Sequence, residues 1–426
     1  MPEMSHSHAL PEEGVLFAQL ESFLAETDYG ADQRCVRLTG VSPADFEAAA
    51  FNDEGGCDTY VIDIVFDEFC AAFVREAPNI AQWKRLLDLA PYWTHGLLGR
   101  PNSVERAARD ALGIWLRLEF TRIQADEGSY AYCAFEDQEP TFIRLDALVA
   151  VADGPPVAPP AESVTWQETL QFDQRPTLTA FQVGQGMCSL LSIGDRQILL
   201  DCGAGKPITR RRYRTTGMVS QLKTQLAGRL SAIISHADRD HYCLLEWDAG
   251  LLGAVDSIYT ASNAPFLILS SKVTKGRVKG ITHASIKVDT SNVLQAFRSD
   301  PARPSESNHD CLVVVVDIAG KRALLPGDYL YCQMQHDNNA AIQALVQPGA
   351  YAAYHAVVAP HHGELDCRLN VPDAAVTGES IAFFSAGTYL SYRHPRDEAL
   401  EAHSAQGYRC VNDRTSQHIV GTQLLP

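Results

Sequence analysis

A chain of 426 residues with 46% hydrophobic content is too long for one ordinary domain and too apolar to be disordered, so two packed cores are expected. No run approaches the roughly 18 consecutive apolar residues of a membrane span, and Met1 to Leu10 lack a basic-then-apolar leader, which predicts a soluble, cytoplasmic protein with no membrane partner. Eleven cysteines, none in a Cys-x-x-Cys pair, argue against a disulfide framework and a zinc ribbon.

The formal charge of −17 is unevenly placed: residues 1–160 hold 27 acidic and 11 basic side chains, and the remainder is nearly balanced. Such different electrostatics suggest two halves with different tasks. The acidity of the first half reads as a solvated face or as a docking surface for a basic protein partner. Asp153-Gly154-Pro155-Pro156-Val157-Ala158-Pro159-Pro160 cannot hold a helix or a central strand, so 153–174 is expected to be a linker between domains at 1–152 and 175–426.

In the first half Val15, Leu16, Leu20, Phe23 and Leu24 recur at helical spacing, and Ala111, Ile114, Trp115 and Leu118 do the same within 104–123. Tyr60–Phe66 reads as a buried strand or the start of a helix, and Ser129–Phe135 and Phe142–Val149 as strands. The expectation is a separate, mostly helical α+β domain. His95 beside Trp93 reads as a packed core residue.

The second half turns to short apolar strands with tight turns. Thr177–Val183, Ser189–Ile193 and Gln197–Leu200 are expected strands, the last closing on Asp201-Cys202-Gly203. Lys206 to Arg214 then places five basic residues in nine, which suits either a solvated run or a phosphate-contacting loop in which Arg210, Arg211 and Arg212 meet the substrate. Lys272, Lys275, Arg277 and Lys279 form a second, weaker basic patch.

After a helix at about Met218–Ala227 and a strand ending at Ile234 comes Ser235-His236-Ala237-Asp238-Arg239-Asp240-His241-Tyr242. Two imidazoles and two carboxylates where a strand enters a loop cannot all be inexpensive core residues, and a cation would resolve their burial. Val255–Thr260 and Pro265–Leu269 read as further strands. Asn308-His309 precedes the apolar strand Cys311–Asp317; the strand Arg322–Leu325 ends in Pro326-Gly327-Asp328; Ala356–Val358 runs into Pro360-His361-His362-Gly363-Glu364; and Ile381–Gly387 leads to Tyr392-Arg393-His394-Pro395 and a helix at about 396–405.

This ordered set resembles the metallo-β-lactamase fold, whose usual signature is His-x-His-x-Asp-His. Asp238 in place of the second His is similar to the ComEC-like branch of competence-protein metallo-hydrolase domains and their stand-alone relatives, some with added domains in bacterial defence systems. The resemblance covers about 175–425 and implies an αββα four-layer sandwich of the α/β class. It implies that His236, Asp238 and His309 hold one divalent ion, that Asp240, His241 and His361 hold another, and that Asp328 bridges them. Asp201 would orient the loop, His362 would face the substrate, and His394 would donate to a phosphate oxygen or leaving group. The ions would be zinc or manganese, with magnesium also suited to so oxygen-rich a site. Together they would activate a shared water. Gln182, Met187, Cys202, Tyr242-Cys243 and Glu364 depart from the family pattern.

With the basic loops, the implied activity is a metal-dependent phosphodiesterase or nuclease acting on nucleic acid, with Asp240, His362 and His394 catalytic. The alternatives are a phosphodiesterase of a small phosphorylated substrate, a decayed regulatory binding module, and a hydrolase of lactones or amides.

Overall fold

The computed structural model describes residues 10–30, 34–76, 115–151, 154–161, 165–171, 175–216, 221–262, 266–288, 290–301, 310–347, 353–387 and 393–426. The chain divides into two compact units, one of residues 1–158 with 266–276 and the other of 159–265 with 277–426.

Six strands of the first unit, β1 (Glu13–Glu26), β2 (Arg34–Val41), β3 (Thr59–Val65), β4 (Trp115–Arg122), β5 (Tyr130–Cys133) and β6 (Thr141–Val151), close into a barrel in the order β1-β2-β3-β5-β6-β4. This overturns the mostly helical expectation. The residues 15–24 that suggested a helix face also alternate, and alternation is what packing selects: Leu16, Ala18 and Leu20 point into the barrel core with Leu116, Leu118 and Phe120 from β4. The ambiguous stretch at Tyr60 is both things expected of it, a strand that passes at Phe66 into the helix Phe66–Glu76. Phe69 and Ala72 of that helix join the same core. His95 and Trp93 lie outside the described residues.

The barrel also buries a charged network. Arg37 donates to both oxygens of Asp63, at 2.7 and 2.6 Å, Tyr130 O–H also donates to Asp63, and Asp28 lies 3.6 Å from Arg37. Both carboxylates face the one guanidinium, and a charge is buried only with such a counterpart.

Residues 154–161, which run from the first unit into the second, hold neither helix nor strand, but Thr165–Leu170, inside the stretch expected to be linker, forms β7 and pairs in parallel with β14. The strands β8 (Thr177–Gln182), β9 (Cys188–Ile193), β10 (Arg196–Cys202), β11 (Arg229–Ile233), β12 (Val255–Ala261) and β13 (Val278–Ile281) join β21 (Val420–Leu425) in a seven-stranded sheet ordered β13-β12-β11-β10-β9-β8-β21. An eight-stranded sheet holds β7, β14 (His283–Val288), β15 (Ser291–Arg298), β16 (Leu312–Ile318), β17 (Lys321–Leu325), β18 (Ala356–Val358), β19 (Ile381–Phe384) and β20 (Arg409–Asn412).

Alternation along β16 decides what each face meets. Val313 and Val315 pack with Leu324 against Tyr331, Met334, Ile342, Leu345 and Ala399, which belong to helices at Tyr331–Met334, Ala340–Val346 and Asp397–Ala405. Leu312 and Val314 point the other way and, with Leu325 and Val358, line a cavity of about 20 Å³ shared with Leu200 and Ile233 of the seven-stranded sheet. The two mixed sheets therefore face each other. Short helices at Cys243–Trp247 and Ala249–Ala254 lie against β10 and β12. Helix–sheet–sheet–helix layering is the arrangement the resemblance implies. One strand-level expectation changes, since 268–270 is a 3-10 turn within the first unit rather than a strand; β13 to β15, not expected from the sequence, occupy a stretch whose charged residues concealed the alternation of Ala284 and Ile286 into the core.

Candidate metal centre

The candidate residues sit at one end of the sheets because neighbouring strands there run parallel. β10 pairs in parallel with β11, and β17, β18 and β19 pair in parallel in the other sheet, so the residues that follow these strands are delivered to the same edge. Asp201 stands at the end of β10, the loop 235–241 follows β11, Asp328 follows β17, and His361 and His362 follow β18. Asp201, His361 and His362 have φ of 56°, 48° and 54°. Left-handed backbone at three non-glycine residues is costly and is held here by its surroundings.

Asp328 is the centre of the cluster. Its Oδ2 lies 3.7 Å from His236 Nε2 and 3.6 Å from His361 Nε2, and its Oδ1 lies 3.1 Å from His241 Nε2 and 3.8 Å from His362 Nε2. Asp238 Oδ2 is 3.4 Å from His236 Nε2 and Asp240 Oδ2 is 3.1 Å from His362 Nε2. His236, His241 and Asp328 bring ligand atoms within 4.8 Å of one another, as do Asp240, His241 and His362.

Behind this shell the imidazoles are fixed by their other nitrogens. Asp201 accepts from the Ser235 backbone N–H at 2.6 Å, from Ser235 Oγ at 2.9 Å and from His241 Nδ1 at 2.9 Å. With its proton on Asp201, Ser235 Oγ accepts from His236 Nδ1 at 3.0 Å. His361 Nδ1 meets Glu364 at 2.6 Å and His362 Nδ1 donates to the Ser385 carbonyl at 2.8 Å. All four rings thereby present Nε2 to Asp328.

Burial would depress the charge on His241, yet Asp328 and Asp201 raise its pKa well above the usual value. Burial likewise opposes ionisation of Asp328, which His241, His361, His362 and His236 hold well below the carboxylate range. Asp240, also desolvated, is brought down to about 2 by His362 and His241. The carboxylates thus demand positive charge, and a bound cation meets that demand as protons do.

The donor set fits a divalent metal. Nε2 of His236, His241 and His362 is buried and makes no hydrogen bond: the nearby carboxylate oxygens are close enough for ion pairing but misaligned for donation. Buried ring nitrogens that make no aligned hydrogen bond are unfavourable unless something else coordinates them.

The structure brings His236, Asp238, Asp240, His241, Asp328, His361 and His362 together. Their grouping differs from the expected partition, since His362 rather than His361 lies beside Asp240 and His241. His309 lies outside the described residues, as does Tyr392. His394 is buried with its ring centre 5.6 Å from that of His361, and Gln185 Nε2 is 3.4 Å from its Nδ1.

The basic loop is not what the sequence suggested. Arg210 is fully buried with its Nε 3.7 Å from Glu246, so it does not meet a substrate phosphate. Arg212 donates to Gln417, and Arg211 is exposed on the helix Arg210–Thr215. The second patch is also engaged: Lys272 with Asp58, Lys275 with the Phe51 carbonyl, Arg277 with the Leu252 and Val255 carbonyls, and Lys279 over the Tyr259 ring.

Sequence reasoning gave no role to Ser235, Gln185 or Ser385, and saw Glu364 only as a departure. Ser235, directly before His236 and facing an aspartate at the end of the adjacent strand, carried the most usable signal. Of the other departures, Gln182 donates to the Ala386 and Asp413 carbonyls, and Met187 N–H donates to the Asp240 carbonyl at 2.9 Å.

No family model matches the chain and no curated protein matches it. Among solved structures it is similar to the metallo-β-lactamase-fold protein YhfI from Bacillus subtilis, at 13% identity and TM-score 0.34 over 58% of this chain and 100% of that one. It is also similar to CmlA, a diiron β-hydroxylase from Streptomyces venezuelae, at 11% identity and TM-score 0.28 over 82% and 78%. Human tRNase Z, short form, matches at 15% identity and TM-score 0.25 over 42% and 76%. At such identities and TM-scores nothing about reaction or substrate carries over. Among the described residues no helix is long and apolar enough to cross a membrane.

Proposed function

We propose that the second unit is a metal-dependent hydrolase of phosphodiesters, nucleic acid among them. The observation that carries this reading is the division of Asp328: one oxygen faces His236 and His361, and the other faces His241 and His362. His236, His361 and Asp238 with Asp328 Oδ2 would hold one divalent cation, and His241, His362 and Asp240 with Asp328 Oδ1 would hold the second. When bound, such a pair supplies an activated water and neutralises charge on phosphoryl oxygens. Three carboxylates among the donors suit zinc, manganese or magnesium.

The chain's own residues supply orientation and charge. Asp201 and Ser235 fix the tautomers of His236 and His241. The Gln185 amide, donating to His394 Nδ1, leaves His394 Nε2–H as a donor for a substrate oxygen. Arg396, half-buried two positions beyond His394, takes the place of Arg210 as the candidate cation for an anionic substrate. A decayed binding module is disfavoured, because Gln182 and Met187, two of the departures that suggested it, take packing and hydrogen-bonding roles and displace no candidate ligand.

The test is metal analysis of the purified chain together with cleavage of bis(p-nitrophenyl) phosphate, dinucleotides, DNA and RNA. Bound metal and cleavage lost on Asp240→Ala are the expected results. A metal-free protein that leaves every substrate intact with zinc, manganese and magnesium added would sink the reading. Cleavage of dinucleotides alone would replace nucleic acid by a small phosphodiester.

A further inference from the structure

Between the two candidate ligands Asp238 and Asp240 stands an arginine that turns away from them. Arg239 donates from Nε and from a terminal nitrogen to Glu246 Oε2, at 3.1 and 2.8 Å, and its guanidinium lies 5.4 Å from the centre of the Trp247 ring. Glu246 is fully buried, and its other oxygen, Oε1, is 3.7 Å from Nε of the equally buried Arg210. One carboxylate is thus set between two guanidinium groups directly beneath the loop.

Three charges are costly to remove from water, and a hydrophobic cluster of the same volume would hold these helices together as well or better. What the charges add is direction. In the turn Arg239–His241 neighbouring side chains leave the backbone on different sides. With Arg239 held inward, Asp238 and Asp240 face the histidines, 3.4 Å from His236 and 3.1 Å from His362. Glu246 belongs to the helix Cys243–Trp247, which directly follows the motif.

We infer that Glu246 is a positioning residue: through Arg239, and braced by Arg210, it sets the two aspartates at the angle at which they bind metal. The inference rests on the metal-centre reading.

The experiment compares full-length wild type with Glu246→Gln, which keeps size but removes the charge, and Arg239→Met, which keeps an apolar stem over Trp247. Affinity for manganese or zinc is read by competition with a chromophoric chelator, and amide hydrogen exchange is followed over 235–242 in metal-free protein. The expected result is about tenfold or greater loss of affinity in both variants, faster exchange confined to that loop, and a double variant no worse than either single. Wild-type affinity with unchanged exchange in both variants overturns the inference. Should Glu246→Gln not fold, Arg239→Met decides alone. Should wild type bind no metal, the metal reading falls, and exchange still shows whether Glu246 holds the loop.

Discussion

Asp201 Oδ2 stands 2.9 Å from His241 Nδ1 and 2.9 Å from Ser235 Oγ, so one carboxylate oxygen fixes one ligand directly and another through a hydroxyl. Asp201→Asn is the informative change, because asparagine tolerates the φ of 56° that Asp201 adopts. Backbone strain is therefore unchanged while the shared acceptor is lost. Metal affinity is expected to fall about 10- to 100-fold, read by chelator competition on protein whose circular dichroism matches wild type. Equal affinity would show that the rings are held by packing alone.

Gly327 occupies left-handed backbone at φ 61°, and a Cβ built there would lie 2.7 Å from Ser235 Oγ. Gly327→Ala should cost about 1–2 kcal/mol for the backbone alone, with more from displacement of Ser235. Urea unfolding at constant m-value measures it. Adding Ser235→Gly removes the clash but leaves the strain, so the double variant should recover part of the loss.

The second unit was largely legible because its signals are local. Strand runs such as Cys311–Asp317 and Ala356–Val358, and the residues that follow them, are read from a few neighbours, and parallel pairing then brings their ends together. The barrel was not legible, because Val15 to Leu24 satisfies both a helical and an alternating pattern, and only closure against β4 selects the second. Arg210 misled for a related reason. A run of arginines looks solvent-facing until a partner 36 positions away, Glu246, draws one of them inside. The pairing of His362 rather than His361 with Asp240 depends on left-handed backbone at both residues, which neither residue type advertises.

The Arg37–Asp63 pair sets the stability of the barrel in a way that separates charge from packing. Asp63→Ala takes away the carboxylate that accepts two hydrogen bonds from the buried guanidinium, and is expected to destabilise the first unit by about 3 kcal/mol or more. Arg37→Met combined with Asp63→Leu and Asp28→Asn removes all three charges of the network and should recover much of that loss. Chemical unfolding followed by tryptophan fluorescence tests both. A single variant within about 0.5 kcal/mol of wild type, the range of an ordinary surface change, would contradict the assignment.

His403 gives the second unit an acid-sensitive core. It lies on the helix Asp397–Ala405 with no exposed surface, its Nδ1 donating to the Ala399 carbonyl at 2.8 Å and its Nε2 accepting from Tyr331 at 3.3 Å. Burial pushes its pKa down from 6.5 to about 4, against a smaller upward pull from the Ala399 carbonyl. The unfolded chain takes up a proton near pH 6.5 while the folded chain resists until about 4. The associated stability is therefore complete above pH 6.5 and is lost as pH falls through that window, by roughly 3 kcal/mol in total. His403→Leu removes the titrating group, so its unfolding free energy should decline less steeply than wild type between pH 6.5 and 4, whatever its value at neutral pH. Parallel slopes for the two proteins across that range would mean that the ring is already charged when folded, or that the helix opens before it titrates.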